Sequence, residues 1–200
     1  MHVRVGKSER EWIDLAWTWL HREIEVGQSV FMPAGGTPTA LYRHACQIPS
    51  PLLRTLKLLQ LDEIISGPLQ GNFRAYLEKE LAPFVDQIQW ISQGDATADV
   101  SILGVGINGH VAFHEPFLAR DFTSGCVLLS DEIQNYLELK DPTWGVTYGC
   151  GTFLKSKKIL VLARGEKKRQ ILQRAIARRD LPISYILEHP NVTLITDFEL

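Results

Sequence analysis

The sequence contains no apolar run approaching the roughly 20 residues that a membrane-spanning helix needs, which leaves no segment of that kind. It holds only three cysteines, Cys46, Cys126 and Cys150, an odd number spaced too widely for a metal knuckle or a redox pair. Small buried thiols in a reducing compartment are the expectation, and with them a cytoplasmic location. Neither sign of charge is in excess. A formal net charge of −2 gives no footing for nucleic acid or an anionic membrane as partner, so any anion affinity must come from a local site. The opening Met1-His2-Val3-Arg4-Val5-Gly6-Lys7 runs into a charged amphipathic stretch, which is no signal peptide.

What is present is ordinary in bulk and informative in pattern. Apolar residues at 45% and charged residues at 22% match soluble globular proteins. The 200 residues suit one domain, 1–200, with a sizeable core. His2–Val5 and Ser29–Met32 read as strands, as do residues 56–61, 88–91, 100–103, 126–129, 158–163 and 192–196. Between them lie helical patterns. One runs from Ser8 as cap to Gly27 as stop, carrying Trp12, Leu15, Ala16, Trp19, Leu20 and Ile24. Others start at Pro38 with Thr37 as cap, at Asn72 as cap, near Glu132, at Thr152 as cap, over 166–177 with Ile171, Leu172 and Ile176 inward, and over 182–187. Strand alternating with helix implies an α/β fold: a doubly wound, mostly parallel sheet with helices on both faces, a Rossmann-like three-layer sandwich. The tryptophans at 12, 17 and 19 read as core or as a partner surface that a homo-oligomer would use.

Chemistry concentrates in one loop, Gly104-Val105-Gly106-Ile107-Asn108-Gly109-His110-Val111-Ala112-Phe113-His114-Glu115-Pro116. Gly104-x-Gly106-x-x-Gly109 fits the dinucleotide fingerprint literally, with Asp131 at a suitable distance. That fingerprint needs a helix starting in the loop, and Pro116 leaves no room for one. His110 and His114 have the spacing of a helical metal pair, yet Val111 stands where a zinc protease needs glutamate, and no metal is expected. What remains is acid/base chemistry by His110, with Asn108 and Glu115 as orienting partners. Asp62 and Glu63 follow a parallel strand, on the sheet edge where α/β proteins bind ligands, although such pairs are more often a solvated turn. The segment 33–38 is strand, glycine turn and helix start: either a phosphate-holding nest or a tight turn with a good cap.

Taken together and in order, these segments resemble the glucosamine-6-phosphate deaminase (isomerase) family, related to the 6-phosphogluconolactonases. The loop 104–116 is similar to that family's Gly-x-Gly-x-Asp/Asn-Gly-His-x-x-Phe-Asn-Glu-Pro, and 33–38 to its Pro-x-Gly-Gly-Thr-Pro. Leu61-Asp62-Glu63 resembles Met-Asp-Glu-Tyr, Gly149-Cys150-Gly151-Thr152-Phe153-Leu154 resembles Gly-x-Gly-Thr-Leu-Leu, and Gly165-x-x-Lys168 a later glycine–lysine motif. His114-Glu115-Pro116 favours deaminases over lactonases, which lack that glutamate.

The resemblance implies a cofactor-free amino-sugar-phosphate deaminase/isomerase, a hydrolase of amino-sugar catabolism that turns glucosamine 6-phosphate into fructose 6-phosphate and ammonia. His110, aided by Glu115 and Asn108, opens the ring. Asp62, with Glu63 alongside, moves the C2 proton to C1, while Gly35, Gly36, Thr37 and Lys168 hold the phosphate. Alternatives are a 6-phosphogluconolactonase-like hydrolase or other phosphosugar isomerase, and a non-catalytic sugar-phosphate sensor. The chain departs from the family pattern with Asn108 where many members carry Asp, Ile64 for tyrosine and His114 for asparagine. Residues 128–133 offer no match for a phosphate-binding arginine. A helix before Asp99 and a C-terminal extension also go unmatched. Weaker phosphate affinity or a different sugar phosphate is the expectation.

Overall fold

A computed structural model describes residues 1–92 and 94–200. Seven strands build the main sheet: β1 (His2–Val5), β2 (Ser29–Met32), β3 (Lys57–Gln60), β5 (Ile88–Gln89), β6 (Val100–Gly104), β9 (Lys158–Leu162) and β10 (Val192–Thr196). Their spatial order is β1-β10-β9-β6-β2-β3-β5, and every pair is parallel. Runs such as 159–162 and Val192–Thr196 are buried on both sides because both faces are covered.

One face is covered by α1 (Glu9–Glu23), α2 (Thr39–Gln47) and α3 (Asn72–Glu80), which contribute Trp12, Ala16, Trp19, Leu41, Tyr42 and Leu77 to a shared core. The other face carries α5 (Cys150–Phe153), α6 (Glu166–Arg178) and α7 (Pro182–Leu187), with Phe153, Leu172, Ala175, Ile183 and Ile186 inward. Trp12 and Trp19 are fully enclosed, so neither offers a partner surface. Ser8 caps α1, accepting from the Glu11 amide at 3.2 Å, as its position predicts. The helix ends at Glu23 rather than at Gly27.

Other boundaries also shift. Thr37 does not cap α2: the N-cap is Pro38, with no side-chain hydrogen bond. Gly71 in a left-handed conformation takes the cap position expected of Asn72, and Thr152 lies inside α5 after Gly149. Ile176 is exposed, and Ala175 takes the inward position.

A second sheet takes up the strand read at 126–129, which is not part of the main sheet. β4 (Asp62–Ile64), β8 (Trp144–Tyr148) and β7 (Ser124–Leu128) form an antiparallel sheet in the order β4-β8-β7. Asp62 and Glu63 therefore lie in a strand, with Asp62 opposite Thr147 and Glu63 opposite Val146, and not in a turn. A small apolar cluster of Ile64, Phe113, Val127, Leu129 and Ile133 packs this sheet against the 104–116 loop and α4 (Asp131–Tyr136).

Strand order reverses between β2 and β6: the chain steps from β2 outward to β3, and from β6 in the opposite direction to β9. Loops diverging at such a point leave a crevice beyond the carboxyl ends of the strands.

Candidate active site

The crevice is occupied by an open cleft of about 190 Å³. Gly35, Gly36 and Thr37 reach it from the β2 loop, Asp62 from β4, Gly104, Gly106 and His110 from the β6 loop, and Lys168 from α6. Segments more than a hundred residues apart in sequence thus meet at one edge. Phe73, Ala112, Phe113, Ile133, Tyr136 and Leu137 make the remaining wall largely apolar.

The 33–38 turn depends on Gly35, whose φ of +106° is reserved in practice for glycine. Thr39 braces it: its hydroxyl donates to the Gly35 carbonyl at 3.2 Å and lies 2.8 Å from the Tyr76 hydroxyl on α3. Lys168 sits in the first turn of α6, its amide bonded to the Gly165 carbonyl at 2.9 Å. Its ammonium is desolvated, which lowers its pKa to about 8. Among the described residues no carboxylate forms an ion pair with it, so the cleft presents a cation awaiting a counter-charge.

No helix begins in the 104–116 loop, which removes the dinucleotide geometry. The loop instead builds a chain of hydrogen bonds. Asn108 Nδ2 donates to Glu115 Oε2 at 2.9 Å, which leaves Oδ1 to accept from the His110 amide at 3.1 Å and to meet His110 Nδ1 at 2.7 Å. Because Oδ1 is an acceptor only, Nδ1 carries the hydrogen and Nε2 keeps its lone pair. Burial, with Lys168 nearby, lowers the His110 pKa to about 3, so the ring is neutral over the working pH range. Gly106 has no substitute here: a Cβ on it would lie 2.0 Å from the imidazole.

Glu115 is completely enclosed and is met on its other oxygen by the Ser130 hydroxyl at 3.0 Å. Ser130 precedes α4 and escaped the sequence reading, although a serine before Asp131-Glu132 is a helix-start signal. His114 has a separate task. Its Nδ1 accepts from the Cys150 amide at 3.0 Å and its ring packs edge-on to Phe122. It is turned to the α5 start and does not form a pair with His110.

The adjacent carboxylates divide sharply. Asp62 lines the cleft, and burial together with the neighbouring Glu63 charge raises its pKa to about 8. Glu63 does not line it. Its oxygens accept from the amides of Ile64 at 2.8 Å, Phe73 at 3.1 Å and Arg74 at 2.7 Å, and from Gln60 Nε2 at 3.0 Å. It anchors the start of α3 and, through Phe73, one wall of the cleft.

A cleft with a buried carboxyl base, a neutral imidazole of defined tautomer and an unpaired cation beside a glycine turn can move protons on a polyol held by an anionic tail. Comparison with known proteins supplies relatives. A glucosamine-6-phosphate deaminase of Bacillus thuringiensis is 35% identical over 231 aligned positions, covering 100% of this chain and 87% of the relative. One from Lysinibacillus sphaericus is 27% identical, covering 90% and 94% respectively. Among solved structures, a monomeric glucosamine-6-phosphate deaminase superposes with a TM-score of 0.80 at 21% identity, covering 98% of this chain and 97% of that one. The 6-phosphogluconolactonase of Trypanosoma brucei gives 0.78 at 17% identity, covering 98% and 95%. Residues 45–195 match the family described as glucosamine-6-phosphate isomerases/6-phosphogluconolactonase, and the chain belongs to that family.

Proposed function

We propose that this chain is a glucosamine-6-phosphate deaminase, converting the amino-sugar phosphate and water into fructose 6-phosphate and ammonia. The observation that carries this reading is the convergence of Asp62, His110 and Lys168 on one cleft. The full-length relatives at 35% identity supply the substrate.

The 6-phosphate sits against the Gly35-Gly36-Thr37 turn, with Lys168 as its cation. His110 Nε2 takes the proton of the C1 hydroxyl and returns a proton to the ring oxygen, opening the pyranose to the aldehyde. Asn108 and Glu115 hold the tautomer that makes Nε2 the base. Asp62 then removes the C2 proton while a proton of the C2 ammonium passes to O1, leaving a neutral 1,2-enolamine. The same carboxyl delivers the proton to C1, and the C2 iminium adds water and expels ammonia. Because a water oxygen ends on C2, the net reaction is hydrolytic. A pKa raised by burial makes Asp62 a stronger base than an exposed carboxylate. The residues act as one domain, and a chain with only three cysteines suits a reducing cytoplasm.

The test is ammonia release from glucosamine 6-phosphate. Asp62→Asn should lower turnover by roughly 10²–10⁴-fold while substrate still binds. Survival of turnover would remove Asp62 as the base. Binding of the substrate by the unmodified protein without ammonia release would favour the sensor reading.

A further inference from the structure

Part of the cleft wall is formed by Ile133, Tyr136 and Leu137, from α4 and the residue after it. This wall is not independent of the proton-handling groups. Ser130 Oγ has two partners: it accepts from the Ile133 amide at 3.4 Å, capping α4, and its single hydrogen goes to Glu115 Oε1 at 3.0 Å. Gln134 ties the same turn back to the Leu129 carbonyl at 2.8 Å. Four groups therefore form one unbranched run, Ser130 to Glu115 to Asn108 to His110, beginning at the wall and ending at the imidazole.

We propose that Ser130 is a positioning residue for ring opening, tying the seating of α4 to the tautomer of His110. The proposal rests on the functional reading above for its role in turnover, and on the hydrogen-bond run alone for its effect on the ring.

The physical argument follows the hydrogens. Asn108 presents Oδ1 to His110 while its NH₂ finds an acceptor in Glu115, which an ionised carboxylate, having no O–H of its own, always offers. A carboxylate enclosed this fully keeps its charge through the donors it has, the Asn108 amide and Ser130, against burial and the nearby Glu132 on α4. Removing the hydroxyl leaves Oε1 without that donor, and the Glu115 pKa, already above the ordinary carboxylate value, rises further. A protonated Glu115 carries its own O–H and competes for Asn108 Oδ1. The His110 Nδ1 hydrogen then loses its acceptor and the ring is free to shift tautomer. The titratable groups facing Glu115 are Glu132 from α4 and, through Asn108, His110 from its own loop. A ligand pressing on Ile133, Tyr136 and Leu137 thus has a direct mechanical path to the base that opens it.

The test compares the unmodified chain with Ser130→Gly and Ser130→Thr, since glycine is tolerated at a helix N-cap and so keeps the fold. Nitrogen-15 NMR of the His110 ring reads the tautomer without reference to turnover. Nδ1–H should dominate in the unmodified chain and in Ser130→Thr, and Ser130→Gly should show a mixture that grows as pH falls. In parallel, kcat for ammonia release should drop about 10-fold in Ser130→Gly, as for loss of one buried charge-assisted bond, with its acid limb moved to higher pH and binding of an open-chain amino-alditol phosphate little changed. An unaltered tautomer in Ser130→Gly would overturn the proposal. A shifted tautomer in a chain that releases no ammonia would uphold the positioning role and sink the functional reading instead.

Discussion

The two sheets contribute to the cleft in different ways. The seven-stranded sheet supplies its groups from loops beyond the strand ends: the Gly35-Gly36-Thr37 turn after β2, His110 after β6 and Lys168 after β9. The three-stranded sheet supplies Asp62 from within a ladder, paired with Thr147 across β8, whose hydroxyl also accepts from the Phe113 amide at 3.1 Å. A phosphate has three oxygens and tolerates some latitude in its contacts. A carboxylate that must reach one C–H and then its neighbour does not, and a strand holds it more firmly than a loop. On the proposed reading the C2 base is thus on the rigid element, while the ring-opening imidazole and the phosphate anchor are on loops.

Lys168 is the sharpest place to break that division. On the proposed reading Lys168→Ala removes the cation that faces the phosphate and should raise KM about 10- to 100-fold, the worth of one charge-assisted contact, with a much smaller change in kcat. An equal loss in kcat would mean that Lys168 takes part in the chemistry and is more than an anchor.

The pH profile carries both regions at once. As the proposed base, Asp62 would be ionised only above a pKa raised to about 8, and Lys168 loses its charge above a pKa lowered to about 8. The value of kcat/KM should therefore climb as pH rises toward 8, fall beyond it, and form a narrow optimum. Lys168→Arg keeps its charge at higher pH and should flatten the alkaline limb while leaving the acid one in place. A broad plateau from pH 6 upward would show that Asp62 titrates in the ordinary carboxylate range.

The same division explains what could be read from sequence. Parallel strands covered on both faces are continuous apolar runs, so β2, β6, β9 and β10 are legible, and their following loops with them. The second sheet is legible only in part, in the 126–129 run that overlaps β7. β7 and β8 carry Gly125 and Gly145, and Gly145 must be small because a Cβ there would lie 2.6 Å from the Phe113 ring. Nothing local marks Asp62 and Glu63 as a strand, because the partner that makes them one lies about eighty positions away. Asn108 and Glu115 are visible in the loop, whereas Ser130 is brought to them only by the packing of α4. Thr37 looks like a helix cap because sequence pattern shows residue type and not where the first turn closes.

Glu63 gives the smallest effect and the finest distinction. It is adjacent to Asp62 yet faces the other way, using both oxygens on the start of α3 and on Gln60. Glu63→Gln puts an NH₂ against backbone donors, which should destabilise the fold by about 1–3 kcal/mol and lower Tm by several degrees. It also removes the negative charge that helps to hold the Asp62 pKa up. With that charge gone, Asp62 ionises at lower pH, and the acid limb of kcat/KM should move downward while kcat at the optimum changes far less than in Asp62→Asn. A collapse of kcat at the optimum, in protein whose circular dichroism is intact, would place Glu63 among the proton-transfer groups. A limb shifted down with kcat preserved would fix its part as anchoring α3 and setting the basicity of its neighbour.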